Sequence, residues 1–364
     1  MASRRRITSP RSMAITNVAV LEKGWLGGGN TGRNTTIVRS NYHLDPNAHF
    51  YEFSLKLWEG LSRELNFNVM YSARGVLNLV HSPADMDASI RRGNAMRLNG
   101  IDAEFMSRDQ IARWIPNLDC SPVPAFRFSA ACCSGAAARS AMTRWRGAMR
   151  AGRTRSVSTS SRNARSTGIR VDHGAISGVE TTLRLHRDAT SSASPWPDTP
   201  ATSPRWRARV CPSNRTCCRR WSRSRSSRCS IPVVTSGAVH FYISQSDKGE
   251  LVMGGDLDFY NSYAQRGNLP TIEHVVAACL ALFPSFGRLK LMRTWGGIMD
   301  MTMDGSPIIA KLPVKGLTMS GGWCYGGFKA TPASGWLHAY TIARDEPHPL
   351  NAAFTLERFR RGAG

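Results

Sequence analysis

Val18-Ala-Val-Leu-Glu-Lys-Gly-Trp-Leu-Gly-Gly-Gly-Asn-Thr-Gly-Arg33 opens as a β-branched run and closes as a glycine-rich patch. A second patch, Ser320-Gly-Gly-Trp-Cys-Tyr-Gly-Gly-Phe-Lys329, lies almost three hundred residues further on and also follows a short strand-like run, Leu317–Ser320. Glycines clustered after strands let main-chain N–H groups touch a polyanion or a planar ring where a Cβ would clash. Each patch ends on a cation. Both ends of the chain are therefore expected to clamp one ligand.

Folded-protein periodicity surrounds both patches. From about Asn47 to Leu65 the apolar spacing is helical, with Phe50, Phe53, Leu57 and Leu61 on one face. Residues 68–72 and 75–80 suggest a hairpin, and Ala84 to Leu98 returns to a helix. Strands are expected near Val239–Ile243 and Glu250–Met253, a helix over Ile272–Leu282, and a hairpin over Gly168–Thr182.

At 364 residues the chain has ample material for a core. Its net charge of +23 ordinarily points to nucleic acid or a membrane surface. The charge is uneven, however. Residues 127–166 hold nine Arg and no Lys, Asp or Glu, residues 183–231 hold eleven Arg and two Asp, and residues 1–13 hold four Arg. The remainder is close to neutral. The Arg-rich tracts offer neither an aromatic platform nor a groove-reading helix, so no nucleic-acid partner is expected. No apolar run reaches the eighteen residues of a membrane span, and the basic start lacks a secretory h-region, which makes a cytoplasmic protein the expectation. Six of the nine Cys fall in the Arg-rich tracts as pairs or singles without metal-ligand spacing, so no metal is expected.

The Arg/Ser-rich segments, 127–166 and 183–231, have neither structural period and are expected to be disordered. They also read as translated out of frame. Met142-Thr-Arg-Trp-Arg-Gly-Ala-Met-Arg-Ala151 can be written with GC-rich codons whose neighbouring frame encodes His-Asp-Ala-Val-Ala-Trp-Gly-Tyr-Ala-Arg. Residues 196–205 similarly hide Val-Ala-Gly-His-Thr-Ser-His-Leu-Ala-Lys, and residues 1–10 can hide Gly-His-Gly-Leu-Ala-Thr-Ala-Tyr-Tyr-Leu-Ala.

The regular blocks resemble the β subunits of heterotetrameric sarcosine oxidases, within the D-amino-acid-oxidase-like FAD oxidoreductases. The likeness rests on residues 17–42, Tyr242-Ile-Ser-Gln-Ser-Asp-Lys-Gly-Glu-Leu251, Trp295-Gly-Gly-Ile298, Gly326-Gly-Phe-Lys-Ala-Thr-Pro332 and Thr341-Ile-Ala-Arg-Asp-Glu-Pro-His-Pro-Leu350. It implies a mixed α/β (α+β) fold: a Rossmann-like FAD-binding domain, incomplete at its N-terminus, with an antiparallel-sheet substrate domain. Residues 14–67, 168–182 and 290–355 are expected in the first, and 68–125 and 233–289 in the second.

The resemblance further implies roles. Arg39 and Lys329 would pair with a substrate carboxylate. Glu22 would bind the adenosine ribose. Gly27, Gly28, Gly29, Gly32 and Arg33 would lie along the FAD pyrophosphate and ring edge, and Gly322, Gly326, Gly327 and Thr331 along the pyrimidine end of the flavin. The implied reaction is oxidative demethylation of sarcosine to glycine, formaldehyde and hydrogen peroxide, with α, γ and δ subunits as partners. Activity is expected to be impaired, because the family's Gly-x-Gly-x-x-Gly phosphate loop lies upstream of, or out of frame with, residues 1–13. Covalent FMN is not expected, since residues 127–166 hold no His and His173 sits in the 168–182 hairpin.

Overall fold

The β-branched run ahead of the first glycine patch forms the strand Ala19–Glu22, which pairs in parallel with Thr159–Arg162, Glu22 opposite Arg162. The computed structural model describes residues 18–25, 27–121, 130–134, 138–139, 159–182, 185–187, 192–194, 209–218, 231–247, 249–257 and 267–361. Just after the paired strand, Asn163 N donates to Gly24 O and Ala164 N to Glu22 O, at 3.2 and 2.9 Å. These bonds fix where the chain leaves the strand.

The hairpin expected over 168–182 is present as Ser166–Asp172 against Ala175–Thr181. Its two-residue turn uses His173 and Gly174 at φ 49° and 77°. Two consecutive positive φ values match the twist of paired strands, and glycine makes the second one free of strain. A separate sheet joins Ile308–Lys311 antiparallel to Leu317–Gly321, which pairs in parallel with Ser192–Ser194.

The largest sheet has eight strands in the order Leu291–Met301, Arg209–Cys218, Leu251–Leu257, Phe241–Gln245, Val233–Ser236, Val76–Val80, Ala130–Ser134 and Glu104–Ser107. All neighbours are antiparallel except Val233–Ser236 beside Val76–Val80. The helix Leu269–Leu282 covers it, with Val275, Cys279 and Leu282 buried at one-turn spacing against Leu77, Val234 and Ile243.

Three expectations change here. Residues 68–80 do not form a hairpin: Ser72–Ala73 pairs with Ala138–Arg139, while Val76–Val80 joins the large sheet. Val76, Leu77 and Val80 are fully buried and Leu79 nearly so, a two-faced burial that a lone ribbon cannot supply. Leu291–Met301, expected with the FAD-binding portion, is the edge strand of the sheet built mainly from the other portion. The Arg/Ser-rich segments contain short strands rather than disorder throughout, Arg209–Cys218 being the longest. Ladder bonds use backbone groups, so side-chain pattern alone did not reveal them. Residues 140–158, 195–208 and 219–230 lie outside the described residues.

The helix Asp45–Glu64 packs on the helix Gly327–Arg344. Its buried stripe runs through Phe50, Tyr51, Ser54, Leu55 and Trp58, with Phe53, Leu57 and Leu61 partly buried on its flank. Ala330 and Ala333, both fully buried, let the two backbones approach. Pro332 lies inside the second helix and has no N–H to give its own turn. In the same turn the Lys329 carbonyl accepts from Ser54 Oγ and Trp58 Nε1 of the facing helix, at 2.6 and 3.0 Å.

On that second helix, His338 is buried with Nε2 3.0 Å from Thr318 Oγ1, and burial lowers its pKa. The unfolded chain then binds the proton more readily than the native protein. Stability from the neutral ring is complete above the ordinary pKa of about 6.5 and falls as pH drops toward the lower native value. The melting temperature is expected to fall between about pH 7 and pH 5, and His338→Gln to flatten part of that slope. His348, shifted the same way by burial, keeps the remainder. An unchanged slope in His338→Gln contradicts this assignment.

Candidate functional site

The edge strand Leu291–Met301 ties the two glycine patches together. From the first patch, Asn30 Oδ1 accepts from Ile298 N at 3.0 Å, and Arg33 O accepts from the Trp295 indole at 2.9 Å. From the second, Trp323 N donates to Asp300 Oδ2 at 3.1 Å and Cys324 N to Asp300 O at 3.0 Å. Ile298 and Asp300 are two residues apart, roughly 7 Å along a strand. The patches are therefore neighbours. Burial raises the Asp300 pKa, partly offset by the N–H donors it accepts.

Within the first patch, Gly27 has φ 74° and so requires glycine. Gly28 N closes a turn on Trp25 O at 2.8 Å, and a Cβ on Gly28 would lie 2.8 Å from the Trp25 ring. Gly32 N donates to Gly29 O at 3.1 Å, and a Cβ on Gly29 would meet no described residue within 4 Å. The Arg33 guanidinium donates to Gly28 O and Gly29 O. It therefore braces its own loop. Glu22 Oε1 accepts from Gly24 N at 2.9 Å, which caps the turn after the strand.

In the second patch, Gly322 has φ 63°, and a Cβ there would overlap the Thr302 methyl. One on Gly326 would overlap the Tyr51 hydroxyl, and one on Gly327 would sit 3.2 Å from Trp323 Cβ. At Gly28, Gly322, Gly326 and Gly327 the protein's own atoms crowd the place of a Cβ, so these positions favour glycine on packing grounds as well. Thr331 Oγ1 donates to Gly327 O at 3.1 Å, one helical turn back. Gly326→Ala is expected to cost about 1–3 kcal/mol through overpacking. Tyr51→Phe in the same chain should recover part of it, and no recovery in thermal melts contradicts the Tyr51 contact.

Arg39 and Lys329, 290 positions apart in sequence, are brought to one pair of rings. Tyr42 and Tyr51 stack with centroids 4.0 Å apart and planes 13° from parallel. The Arg39 guanidinium lies over Tyr42, 5.2 Å from its centroid. The Lys329 ammonium is 6.0 Å from both centroids and donates to Tyr325 O at 2.9 Å. Lys329 is 6% exposed. Burial raises the pKa of both phenols, reinforced at Tyr51 by its neighbour Tyr42; Arg39 counters part of the rise at each, as does the Tyr51 hydrogen bond at Tyr42. The rings stay neutral and do not cancel either positive charge.

Donors accumulate around this pair. Arg39 Nη1 donates to Asn41 Oδ1 at 2.6 Å, which turns the Asn41 amide hydrogens away from the guanidinium. Asn41 Nδ2 and Ser40 Oγ are buried without a hydrogen-bond partner among the described residues. Two cations with orphaned buried donors alongside suit an anionic ligand carrying several acceptor oxygens.

The sequence did not mark Tyr42, Tyr51 or Asp300 as part of this region. Tyr42 stands three residues after Arg39, a signal that was available, whereas Asp300 gains its place only from the tertiary contacts of its strand. Tyr51 carried no sequence signal beyond its place in a helix. No described helix is long and apolar enough to cross a membrane.

The FAD dependent oxidoreductase family profile matches residues 11–341. The sarcosine oxidase β subunit of Rhizobium meliloti (strain 1021) is 48% identical over 368 residues, covering 97% of this chain and 84% of that one. The sarcosine oxidase β subunit of an Arthrobacter species is 42% identical, covering 97% and 87%. Among solved structures, L-proline dehydrogenase from P. horikoshii superposes with a TM-score of 0.84 at 19% identity, over 95% of this chain and 92% of that one. At that identity the likeness bears on the fold, which is a mixed α/β FAD-oxidoreductase fold.

Proposed function

Because this chain belongs to the FAD dependent oxidoreductase family and to the sarcosine oxidase β subunits within it, we propose that it oxidises sarcosine to glycine and formaldehyde. Membership makes it a flavin-dependent oxidoreductase acting on amine donors. The convergence of Arg39 and Lys329 on the Tyr42–Tyr51 stack carries the finer reading.

Sarcosine has one carboxylate and one secondary amine. Arg39 offers a planar fork of donors and Lys329 a point charge, which together hold a carboxylate in one orientation. With the carboxylate fixed, the N-methyl carbon is confined to a small volume, and such positioning lowers the barrier without any new chemistry. The stacked rings exclude water beside the two cations and so strengthen their pull.

The residues fit FAD. Glu22 ends a strand, where an acid meets ribose hydroxyls. Gly27, Gly28, Gly29 and Gly32, braced by Arg33, would carry backbone past the pyrophosphate, with no described residue against a Cβ at Gly29. Gly322, Gly326, Gly327 and Thr331 would line the opposite end. When bound, FAD supplies the acceptor for a hydride equivalent from the N-methyl carbon. The resulting imine would take up water to give glycine and formaldehyde, and molecular oxygen, as terminal oxidant, would accept the two electrons with two protons and leave as hydrogen peroxide. Assembly with α, γ and δ subunits in the cytoplasm, without covalent FMN on this chain, completes the reading.

The Arg/Ser-rich segments are proposed to be out of frame and to weaken FAD retention. Each charged-group hydrogen bond lost to the cofactor costs about 1.5–3 kcal/mol, enough over several bonds to erase micromolar affinity. Full-length protein is therefore assayed with excess FAD for sarcosine-dependent dye reduction. Reduction that requires added FAD supports the proposal. No reduction at saturating FAD refutes the function, and stoichiometric flavin in protein purified without FAD refutes the weakened retention.

A further inference from the structure

We infer that Tyr42 is a positioning residue that sets the span between Arg39 and Lys329, so that both reach one carboxylate; this rests on the sarcosine reading above. The Arg39 guanidinium and the Tyr51 ring both stack on Tyr42. Tyr51 is held in turn, because its helix packs on Gly327–Arg344 and its hydroxyl lies against Gly326. The Lys329 ammonium is equally distant from both rings, and its backbone carbonyl is pinned by Ser54 and Trp58.

A column of three groups thus connects the mobile end of one cation to the helix that carries the other. Arginine has many rotamers, and an ordered one must be held by its surroundings. Two contacts hold this guanidinium among the described residues: the Asn41 side-chain oxygen and the face of Tyr42. The Tyr42 face can lie under the cation without taking up the donor edge that a carboxylate would use. Asn41 alone engages one Nη1 hydrogen, leaving rotation about that bond open.

The role makes Tyr42 act through Arg39 and through its ring, not its hydroxyl. Tyr42→Leu, with Tyr42→Met as a second aliphatic variant, is expected to raise KM for sarcosine about 10-fold or more while kcat stays within about 3-fold. Tyr42→Phe, which keeps the ring, should recover most of that loss. In an Arg39→Ala background, Tyr42→Leu should add less than about 3-fold, since its effect passes through the missing guanidinium.

The series is run with excess FAD on full-length protein. Tyr42→Phe as impaired as Tyr42→Leu, or a Tyr42→Leu effect undiminished without Arg39, overturns the inference. Aliphatic variants that match the wild type overturn it too, and leave the sarcosine reading standing. A wild type without sarcosine turnover defeats that reading first, and this one with it.

Discussion

Arg39→Ala is expected to raise KM for sarcosine by about 10²–10⁴-fold. A bidentate guanidinium–carboxylate contact contributes two charge-assisted hydrogen bonds, each worth about 1.5–3 kcal/mol, and every 1.4 kcal/mol is about tenfold in affinity. Arg39→Lys should keep the charge but lose the fork, and fall between the two. Lys329→Met, close in length and suited to a site only 6% exposed, is expected to cause a loss of similar order. The double variant should lose less than the product of the single effects, because both cations hold one carboxylate. Steady-state dye reduction across a sarcosine series decides this. Single variants with wild-type KM would remove Arg39 and Lys329 from the substrate site.

Arg358→Met is expected to cost about 3–5 kcal/mol of stability, the usual penalty for leaving one buried charge without its partner. Arg358 and Asp304 are 8% and 11% exposed and meet through two bonds, Nε to Oδ2 at 2.5 Å and Nη2 to Oδ1 at 3.2 Å. Arg358 also donates to Ser306 O and Thr355 O, both at 2.9 Å. Thr302 Oγ1 shares the Ser306 carbonyl at 2.7 Å, and Thr302 N donates to Cys324 Sγ at 3.4 Å. The short C-terminal helix Glu357–Arg360 therefore braces the turn behind the second glycine patch.

Burial pushes the Asp304 carboxyl up, but the Arg358 guanidinium and the Ser306 N–H outweigh it, and the pKa ends below the ordinary value. The native state then binds that proton less readily than the unfolded chain. This stabilisation is present above the unfolded pKa of about 3.9 and is lost as pH falls through the lower native value. Thermal melts of Arg358→Met should show a clear drop near neutral pH and a shallower decline in acid. A variant that melts with the wild type at both ends would mean the pair contributes nothing net.

Much of the local structure was legible. The strand ending at Glu22, the helix around Phe50 and the hairpin turning at His173-Gly174 each follow from short-range pattern: alternation, helical spacing and a turn glycine. Arg209–Cys218 was not legible, because Pro212 interrupts it and arginine, cysteine and threonine alternate with nothing. Its strand character comes from neighbours on both sides, through backbone groups common to every residue type. The Val76–Val80 strand was recognisable while its partners were not, since they lie fifty or more and more than one hundred and fifty residues away.

The site divides similarly. Glycines and cations announce themselves by residue type, so the two patches and Arg39 with Lys329 could be singled out. The groups that bring them together depend on tertiary contact. Ser54 reaches the Lys329 carbonyl across 275 positions, and Asn47 reaches Ser306 across 259. Asp300 looks ordinary until both patches are seen resting on its strand. Even the glycines owe their type partly to Tyr51, Trp323 and Thr302 rather than to a ligand alone.

Anaerobic titration of full-length, FAD-loaded protein with sarcosine, followed in the visible flavin band, tests the central claim most directly. Bleaching that saturates with sarcosine in the wild type, and shifts to far higher concentration in Arg39→Ala and in Lys329→Met, is the predicted result. Flavin that stays oxidised at every sarcosine concentration, or bleaches equally in all three proteins, would contradict it.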